Sequence, residues 1–325
     1  MCLRLIIIFL MVTGTPIAIA DDIRTMQYTS RPAEAAIAWQ QAVRSGLLER
    51  LHLSDLVKSR GEIPLKPLVV DEQERDGLVL QNVRFQSTPE RCITAALARR
   101  REGGGASSAI VCIHGHGGNR LTPFDPQAHQ YKLFGTELAR GGFIVISADV
   151  GQHEVYEQGR TLMGERLWDL MRCVDYLESL PEVDPNRIGC AGLSLGGEMA
   201  MWLAAMDERM AATVSAGFLT VMDQMEQNHC MCWKFPGLRE LVDFPDMYSL
   251  IAPRPLQCQN GLKEQPTQFT VPLAVRAIKE IRLIYEDFGV VDNVVLEIHD
   301  GGHEIALEPL IEFLSDHLAN RFTHP

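Results

Sequence analysis

Short apolar runs alternate along the chain with longer segments in which apolar residues recur at helical spacing. The short runs predict strands, because a buried strand needs only about four to eight apolar residues. They lie at 78–85, 92–97, 109–113, 143–148, 188–193, 210–216, 256–259 and 294–298. The longer segments predict helices at 31–57, within 124–140, and at 162–180, 273–288 and 304–320, with another directly after Gly197. This alternation predicts an α/β fold, with a mostly parallel sheet covered by helices on both faces.

The N-terminal part of the chain differs from this alternating core. Arg4 precedes an apolar run at 5–12, and Ala18-Ile19-Ala20 fits a cleavage site of small residues, which together predict a signal peptide and export. The run is shorter than the roughly 20 apolar residues that a membrane span needs, so export is favoured over an anchor. The predicted division is a signal peptide at 1–20, an N-terminal helical extension at 21–74 and the main α/β domain at 75–325.

Charge and cysteine content narrow the partners and the redox chemistry. The formal charge of −12 at pH 7 argues against nucleic acid as a partner. Of eight cysteines, Cys2 lies in the predicted signal peptide, and the odd number that remains leaves at least one free thiol. Cys112 and Cys190 lie in predicted buried strands, where cysteine behaves as a small apolar residue. Export therefore does not imply a disulfide framework here.

A Gly-x-Ser-x-Gly turn joins the strand at 188–193 to the helix that follows it. Ser194 is flanked by Gly192 and Gly196 at the two positions where a Cβ would clash in a strained turn. This pattern is typical of a nucleophile elbow, in which a serine is exposed at the end of a sheet above a helix N-terminus. The alternative is a glycine-rich turn with an idle serine. The strand before the turn and the helix after it favour the nucleophile.

A nucleophilic serine needs a base, and in such sheets the triad partners follow in the order Ser, acid, His. His303 is the predicted base, because it follows the last predicted strand and Gly301-Gly302 lets its loop reach over the sheet edge. His299 is the rival at the strand end. His317 and His324 lie too far beyond the last strand to reach the site easily.

The acid should follow the preceding strand, where the chain runs Asn260-Gly261-Leu262-Lys263-Glu264. Glu264 is the predicted acid, since a glycine turn followed by a carboxylate suits a loop that presents its side chain to the base. The alternative is that Glu264 is only a solvated charge on the surface. The rival acids further along the chain are Glu286, Asp287 and Asp292.

The loop after the strand at 109–113 is expected to stabilise negative charge on the substrate. Its glycines allow close approach to a substrate, and the backbone N–H groups of His116 and Leu195 are the predicted oxyanion hole. The segment 149–153, which ends in His153, follows the next strand and is expected to shape the loop or contact substrate.

Two histidine-containing segments could in principle hold a metal. His114 and His116 lack an accompanying acidic cluster, and the segment 229–233, His-Cys-Met-Cys-Trp, lacks further ligands for a zinc site. Local packing is favoured for 229–233 over zinc, and a disulfide between Cys230 and Cys232 ranks below both. The sequence therefore predicts no metal and no cofactor.

Together these segments resemble the α/β-hydrolase superfamily, and within it the dienelactone-hydrolase-like and acetyl xylan esterase-like branch. The resemblance covers roughly residues 75 to 322. One departure is Glu264-Gln265-Pro266, where such relatives usually carry aspartate. The matching segments are His114 to Gly118, Gly192 to Gly197, Ile251 to Leu256, Asn260 to Glu264 and Gly301 to Glu304, and His229 to Cys232 followed by Pro236-Gly237-Leu238 looks like a subgroup feature.

Together with the predicted signal peptide, the resemblance implies an exported serine hydrolase that cleaves carboxylic esters through Ser194, His303 and Glu264, with acyl groups on carbohydrate as one substrate class. The expected partner is a small-molecule or carbohydrate ester, with no nucleic acid and no stable membrane span after signal removal. A serine peptidase of the same fold and a non-catalytic binding protein are the alternatives. The peptidase is disfavoured because the chain has too little sequence ahead of the main domain for the large propeller of prolyl-peptidase-like relatives.

Overall fold

A nine-stranded sheet forms the centre of the molecule. The computed structural model describes residues 24–101, 105–227 and 229–318. The strands, in chain order, are β1 (Leu68–Arg75), β2 (Leu78–Gln86), β3 (Cys92–Arg100), β4 (Ser107–Ile113), β5 (Ile144–Ala148), β6 (Val183–Leu193), β7 (Met210–Ala216), β8 (Leu256–Gly261) and β9 (Val294–His299). They are arranged in the order β1-β2-β3-β5-β4-β6-β7-β8-β9.

The sheet is antiparallel at one edge and parallel through the rest. β1, β2, β3 and β5 pair antiparallel, whereas all pairs from β5–β4 to β8–β9 are parallel. The parallel strands carry helical crossovers, as parallel pairing requires. In register, Ile113 lies beside Gly192, and Leu193 beside Ala216. The carboxyl ends of β4, β6 and β7 therefore meet at one place on the sheet edge, where ligands bind in open α/β sheets.

Ten α-helices surround this sheet in the described part of the chain. α3 and α10 pack in one buried apolar cluster with the sheet, and α1, α4, α5, α8 and α9 pack in another. Helices therefore cover both faces, and the α/β fold predicted from the sequence is confirmed. The helices are α1 (Ala33–Arg50), α2 (Ser54–Lys58), α3 (Phe134–Arg140), α4 (Leu162–Ser179), α5 (Leu195–Met206), α6 (Met222–Met225), α7 (Leu238–Leu241), α8 (Phe244–Ser249), α9 (Val271–Asp287) and α10 (Leu307–Leu318).

Helix α1 lies against the main domain, through both apolar and polar contacts. Trp39 and Val43 are buried in its interface. The Gln40 amide donates to the backbone oxygens of Ser249 and Ala252, at 3.0 and 2.8 Å. These bonds satisfy buried carbonyl groups around the end of α8, which would otherwise lower stability. The extension is thus packed tightly on the fold that it precedes.

Three predicted helices have different bounds in the structure. The helix predicted within 124–140 is α3, and it begins after Leu133, because Lys132 and Leu133 have φ values of 51° and 55°, which no right-handed helix contains. The helix predicted at 31–57 divides into α1 and α2 around His52, whose φ is 58°. The last predicted helix begins at Leu307 instead of Glu304, since Ala306 N–H is held by the Gln259 side chain at 3.0 Å.

Several elements were not predicted from the sequence. Strand β1 was missed because all its residues are exposed and most are polar, so it carries no apolar pattern. The helices α6, α7 and α8, between β7 and β8, are too short for helical periodicity to reveal them. β1 is joined to β2 by Asp76-Gly77, both with positive φ, which is the conformation of a tight hairpin turn. The predicted division at residues 74 and 75 falls near the end of β1, and the domain bounds stay a prediction.

The predicted signal peptide at 1–20, His324 and the end of the last predicted helix at 319–320 lie outside the described residues. Of the helices that the structure describes, none has the length and apolar character to span a membrane. The seven cysteines in the described ranges are all free thiols, and Cys112 and Cys190 are buried, as predicted.

Candidate active site

Ser194 lies in a strained turn between β6 and α5. Its φ of 63° and ψ of −122° are conformations that a residue with a side chain rarely adopts. The neighbouring glycines are required by close contact, because a Cβ on Gly192 would lie 2.3 Å from the oxygen of Gly196, and one on Gly196 would lie 2.1 Å from the oxygen of Ile113. The turn therefore has the geometry of a nucleophile elbow.

The backbone around Ser194 is fixed by the neighbouring strand and the following helix. The backbone N–H of Ser194 donates to the backbone oxygen of Ala216 at 2.9 Å. The backbone oxygen of Ser194 accepts from Glu198 N–H, also at 2.9 Å. Leu195 is the first residue of α5, so its N–H is among those without an acceptor inside the helix. The N-terminal end of a helix also carries partial positive charge. Negative charge that develops beside Ser194 would be stabilised there.

His303 forms a hydrogen-bonded pair with the buried side chain of Glu264. His303 Nδ1 donates to Glu264 Oε1 over 2.9 Å. A carboxylate can only accept, so Nδ1 carries the proton and Nε2 is the free acceptor of the neutral ring. The Glu264 side chain is only 1% exposed, whereas that of His303 is 30% exposed. The imidazole is thus held by a buried acid and open to a ligand on its other side.

The loops that carry this pair are joined by backbone hydrogen bonds. Leu262 N–H donates to the oxygen of His299, and Lys263 N–H donates to the oxygen of Gly301, both at 2.9 Å. A Cβ on Gly261 would lie 2.3 Å from the oxygen of Gly302, so only glycine permits this approach. The pairing of β8 with β9 therefore continues into the two loops and fixes Glu264 against His303.

Gly217 connects the histidine with the serine turn. It directly follows Ala216, which accepts the hydrogen bond of Ser194 N–H. Its φ is 59°, and a Cβ here would lie 2.9 Å from His303 Cε1 and 3.1 Å from Nδ1. On another side, the Phe269 ring stacks on the imidazole with centroids 5.6 Å apart. The ring of His303 is therefore enclosed between the end of β7 and the acid loop.

The glycine-rich loop after β4 approaches Ser194 closely. A Cβ on Gly115 would lie 3.2 Å from the Cβ of Ser194, and Gly115 N–H donates to the Tyr131 hydroxyl at 2.7 Å. The next residue, His116, is exposed and Leu195 is buried beside Ser194. The structure thus brings the loop of His116 to the turn of Ser194 and Leu195, where the oxyanion hole was predicted.

His114 and His116 have different surroundings, although they are two positions apart. His114 is buried, with Nε2 accepting from Val150 N–H at 3.1 Å and Nδ1 donating to the oxygen of Gly115 at 2.8 Å. Burial lowers the pKa of His114; for His116, which is exposed on one side, the partial desolvation of the ring and then the positive charge of Arg166 lower the pKa to about 4. Both rings are therefore neutral at pH 7, and His114 ties the loops after β4 and β5 together.

The rival base and acid residues lie elsewhere. His299 accepts from Gly301 N–H through Nδ1 at 3.2 Å, and His317 packs on Phe313. Asp287 accepts hydrogen bonds from the hydroxyls of Tyr28 and Ser30 and from Arg31 N–H, all in the segment before α1. The two remaining rival acids, Glu286 and Asp292, are exposed. Among the candidates that the structure describes, Glu264 is the carboxylate paired with His303.

A cluster of side chains that could bind a metal lies beside this site, and it was not predicted from the sequence. The atoms of His116, His153, Cys230 and Cys232 that could bind a metal lie within 4.8 Å of one another. The sequence had suggested His114 with His116, and the segment 229–233 alone, as two incomplete groups. His153 follows β5, which is the neighbour of β4, so the sheet order would have placed it beside His116.

Comparisons with known proteins find similarity to hydrolases. Residues 93–229 match the model of the Dienelactone hydrolase family. A curated relative is YtaP of Bacillus subtilis (strain 168), which is named provisionally as a hydrolase. The two sequences are 26% identical over 286 residues, which cover 81% of this chain and 94% of YtaP.

Two solved structures illustrate the likeness of fold. One is a protein of Bacteroides fragilis NCTC 9343 that is named provisionally as an acetyl xylan esterase. It superposes with a TM-score of 0.71 at 18% identity, over 86% of this chain and 79% of that one. A glucuronoyl esterase from Teredinibacter turnerae T7901 gives a TM-score of 0.63 at 14% identity, over 91% and 88%. We conclude that the chain has the α/β-hydrolase fold of these structures and is similar to the Dienelactone hydrolase family over residues 93–229.

Proposed function

We propose that this hydrolase cleaves carboxylic esters, with Ser194 as nucleophile, His303 as base and Glu264 as the acid that orients the base. The observation that carries the proposal is the 2.9 Å hydrogen bond from His303 Nδ1 to the buried Glu264 carboxylate. It leaves Nε2 free to accept a proton, in a loop packed against the end of β7 beside the Ser194 turn. Such an arrangement is what a serine hydroxyl needs to become nucleophilic.

In the proposed reaction, Ser194 Oγ attacks the acyl carbon while His303 Nε2 takes its proton. Glu264 stabilises the imidazolium, and the N–H groups of His116 and Leu195 hold the oxyanion. Collapse of the tetrahedral intermediate breaks the ester bond, and His303 returns the proton to the leaving alcohol. Water, deprotonated by His303, then attacks the acyl-enzyme and releases the acid and free Ser194.

The substrate class that we propose is an ester, with acyl groups on carbohydrate as the first candidates. Support comes from the names of the structural relatives, which include acetyl xylan and glucuronoyl esterases. The alternative of a serine peptidase uses the same three side chains, so the leaving group is what separates them. An aryl acetate and the anilide of the same acyl group provide this comparison.

We expect the enzyme to hydrolyse the aryl acetate with a kcat/KM at least about a thousandfold above that for the anilide, because nothing in the proposed site is specific for an amine leaving group. The measurement is initial rates on both compounds with one enzyme preparation. Comparable rates on the anilide would favour the peptidase. Failure to turn over either compound or a panel of acylated sugars would favour a binding protein.

The position of His303 should depend on the absence of a side chain at Gly217. Gly217→Ala is expected to lower kcat/KM for an ester by about a hundredfold, since a displacement of about 1 Å in a catalytic group has effects of that size. Gly77→Ala is the matched control, because Gly77 also has positive φ but a Cβ added there would meet nothing within 4 Å. It should lose about 1 kcal/mol of stability and keep its activity. Equal activity in both variants would contradict the enclosed position of His303.

We also propose that residues 1–20 direct export and are removed afterwards. The support is the positive start, the apolar run and the small-residue cleavage site in this segment. The mass of the protein recovered outside the cytoplasm should correspond to a chain that begins at Asp21. Recovery of only the complete chain, inside the cell, would contradict the proposal.

A further inference from the structure

Four side chains of types that can bind metals, from three separate loops, converge at the proposed oxyanion loop. His116 follows β4, His153 follows β5, and Cys230 and Cys232 lie in the segment between α6 and α7. His116 Nε2 lies 3.1 Å from Cys232 Sγ, and His153 Nε2 lies 3.4 Å from Cys230 Sγ. The imidazole rings are stacked, with centroids 5.5 Å apart and 17° between their planes.

These distances are close to those of a tetrahedral metal site. Zinc binds imidazole nitrogen at about 2.0–2.1 Å and thiolate sulfur at about 2.3 Å, so its ligand atoms are separated by about 3.3–3.8 Å. All four atoms here lie within 4.8 Å of one another, and the two measured nitrogen–sulfur pairs fall at or just below that separation. Small movements of exposed side chains would complete the geometry.

We propose that His116, His153, Cys230 and Cys232 bind a Zn²⁺ ion. Two imidazoles and two thiolates are a ligand set that zinc favours, and four protein ligands are typical of structural sites. The two thiolates would balance the charge of the ion, so the occupied site would be neutral. It is also accessible, because three of the four side chains are exposed and the fourth is half-buried.

Arg166 donates hydrogen bonds to two of the segments that form this site. It is buried in α4, and its Nη1 donates to Cys232 Sγ at 3.4 Å while Nη2 donates to the oxygen of Gln152, next to His153. Hydrogen bonds of this kind orient metal ligands from outside the first coordination shell. A single guanidinium thus contacts both the cysteine segment and the chain that carries His153.

The zinc would cross-link the loop of His116 to the segment of Cys230 and Cys232, which does not pair with the sheet. Since the backbone N–H of His116 is a proposed oxyanion donor, its side chain would hold that donor in place through the metal. This consequence rests on the proposed esterase function, whereas the metal site itself does not. The metal would be structural, because its four protein ligands leave no position for substrate.

The test measures metal binding by the full-length chain under reducing conditions. We expect one zinc ion per chain by elemental analysis, lost on treatment with a strong chelator and regained on titration with Zn²⁺. Co²⁺ in the same site should give thiolate charge-transfer bands and the intense visible bands of tetrahedral coordination. Substoichiometric zinc that the stripped chain does not regain would overturn the proposal.

Variants identify the ligands. Cys230→Ser/Cys232→Ser and His153→Asn should each weaken zinc affinity by more than about a hundredfold, because losing a ligand costs more than losing an outer-shell contact. Cys92→Ser and His129→Asn are the controls, since both residues are exposed and outside the cluster, and they should bind zinc as the wild type does. Unchanged affinity in the double cysteine variant would overturn the proposal, as would a Cys230–Cys232 disulfide whose reduced form takes up no zinc.

If a variant fails to fold, the test still rests on the wild-type chain, from which zinc is removed with the chelator and to which it is then returned. The Co²⁺ spectrum and the zinc content do not depend on turnover, so a chain that binds zinc but hydrolyses no ester would retain this site and refute the proposed function. If both stand, removal of zinc should lower ester turnover reversibly, and restored zinc should return it.

Discussion

Replacing Ser194 with alanine is expected to lower kcat/KM for an aryl acetate by about 10⁴-fold or more, because no other group can form the acyl-enzyme. The side chain points from a turn whose φ of 63° and close glycine contacts are fixed by β6 and α5. Alanine removes only the hydroxyl and preserves that backbone. The loss should therefore fall on kcat, with folding unchanged, and steady-state rates with circular dichroism check both.

Ser179→Ala is the matched control for this variant. Ser179 ends α4, and its hydroxyl donates only to the nearby oxygen of Tyr176 at 2.7 Å. Its removal should leave kcat and KM at the wild-type values. Ester turnover that survives in Ser194→Ala, above the level of a sample without enzyme, would remove Ser194 from the mechanism.

Glu264→Gln is expected to lower kcat by about 10³- to 10⁴-fold with little change in KM, as in triads whose acid is replaced by its amide. Glutamine has the same shape, but it carries no charge to stabilise the imidazolium of His303. Its amide nitrogen can also donate to Nδ1, which would place the ring proton on Nε2 and block proton acceptance. Because the carboxylate is 1% exposed, water cannot substitute for it.

The control for Glu264→Gln is Glu286→Gln, which changes an exposed carboxylate on α9. It should leave kcat and KM unchanged. Full activity in Glu264→Gln, with Ser194→Ala inactive, would retain the nucleophile and transfer the role of the acid to another carboxylate. Asp287 and Asp292 would then be tested next, although the structure places neither beside His303.

The elements that the sequence predicted well are those specified by local residues. The Ser194 turn needs Gly192 and Gly196 within a few positions of the serine, so its conformation follows from a short motif. The strand–helix alternation likewise follows from local periodicity. The choice of Glu264 over its rivals was different, since it depends on how β8 and β9 pair and continue into their loops.

Other features were not revealed by the periodicity of apolar residues. The cluster of His116, His153, Cys230 and Cys232 draws on three loops, and only the order of β4 and β5 in the sheet brings two of them together. Strand β1 has no apolar face, although the Asp76-Gly77 turn after it is a hairpin signal that could have indicated it. The start of the helix predicted within 124–140 is set by the left-handed residues Lys132 and Leu133, which sequence periodicity does not reveal.

The most direct test of the central claim is covalent labelling of the full-length chain with a serine-reactive fluorophosphonate, followed by intact-mass measurement and peptide mapping. We predict one adduct per chain, located on Ser194, with none in Ser194→Ala. A short-chain ester added beforehand should slow labelling, because both compete for the same hydroxyl. An adduct on a different residue, or no adduct in a folded chain, would contradict the assignment of Ser194 as the nucleophile.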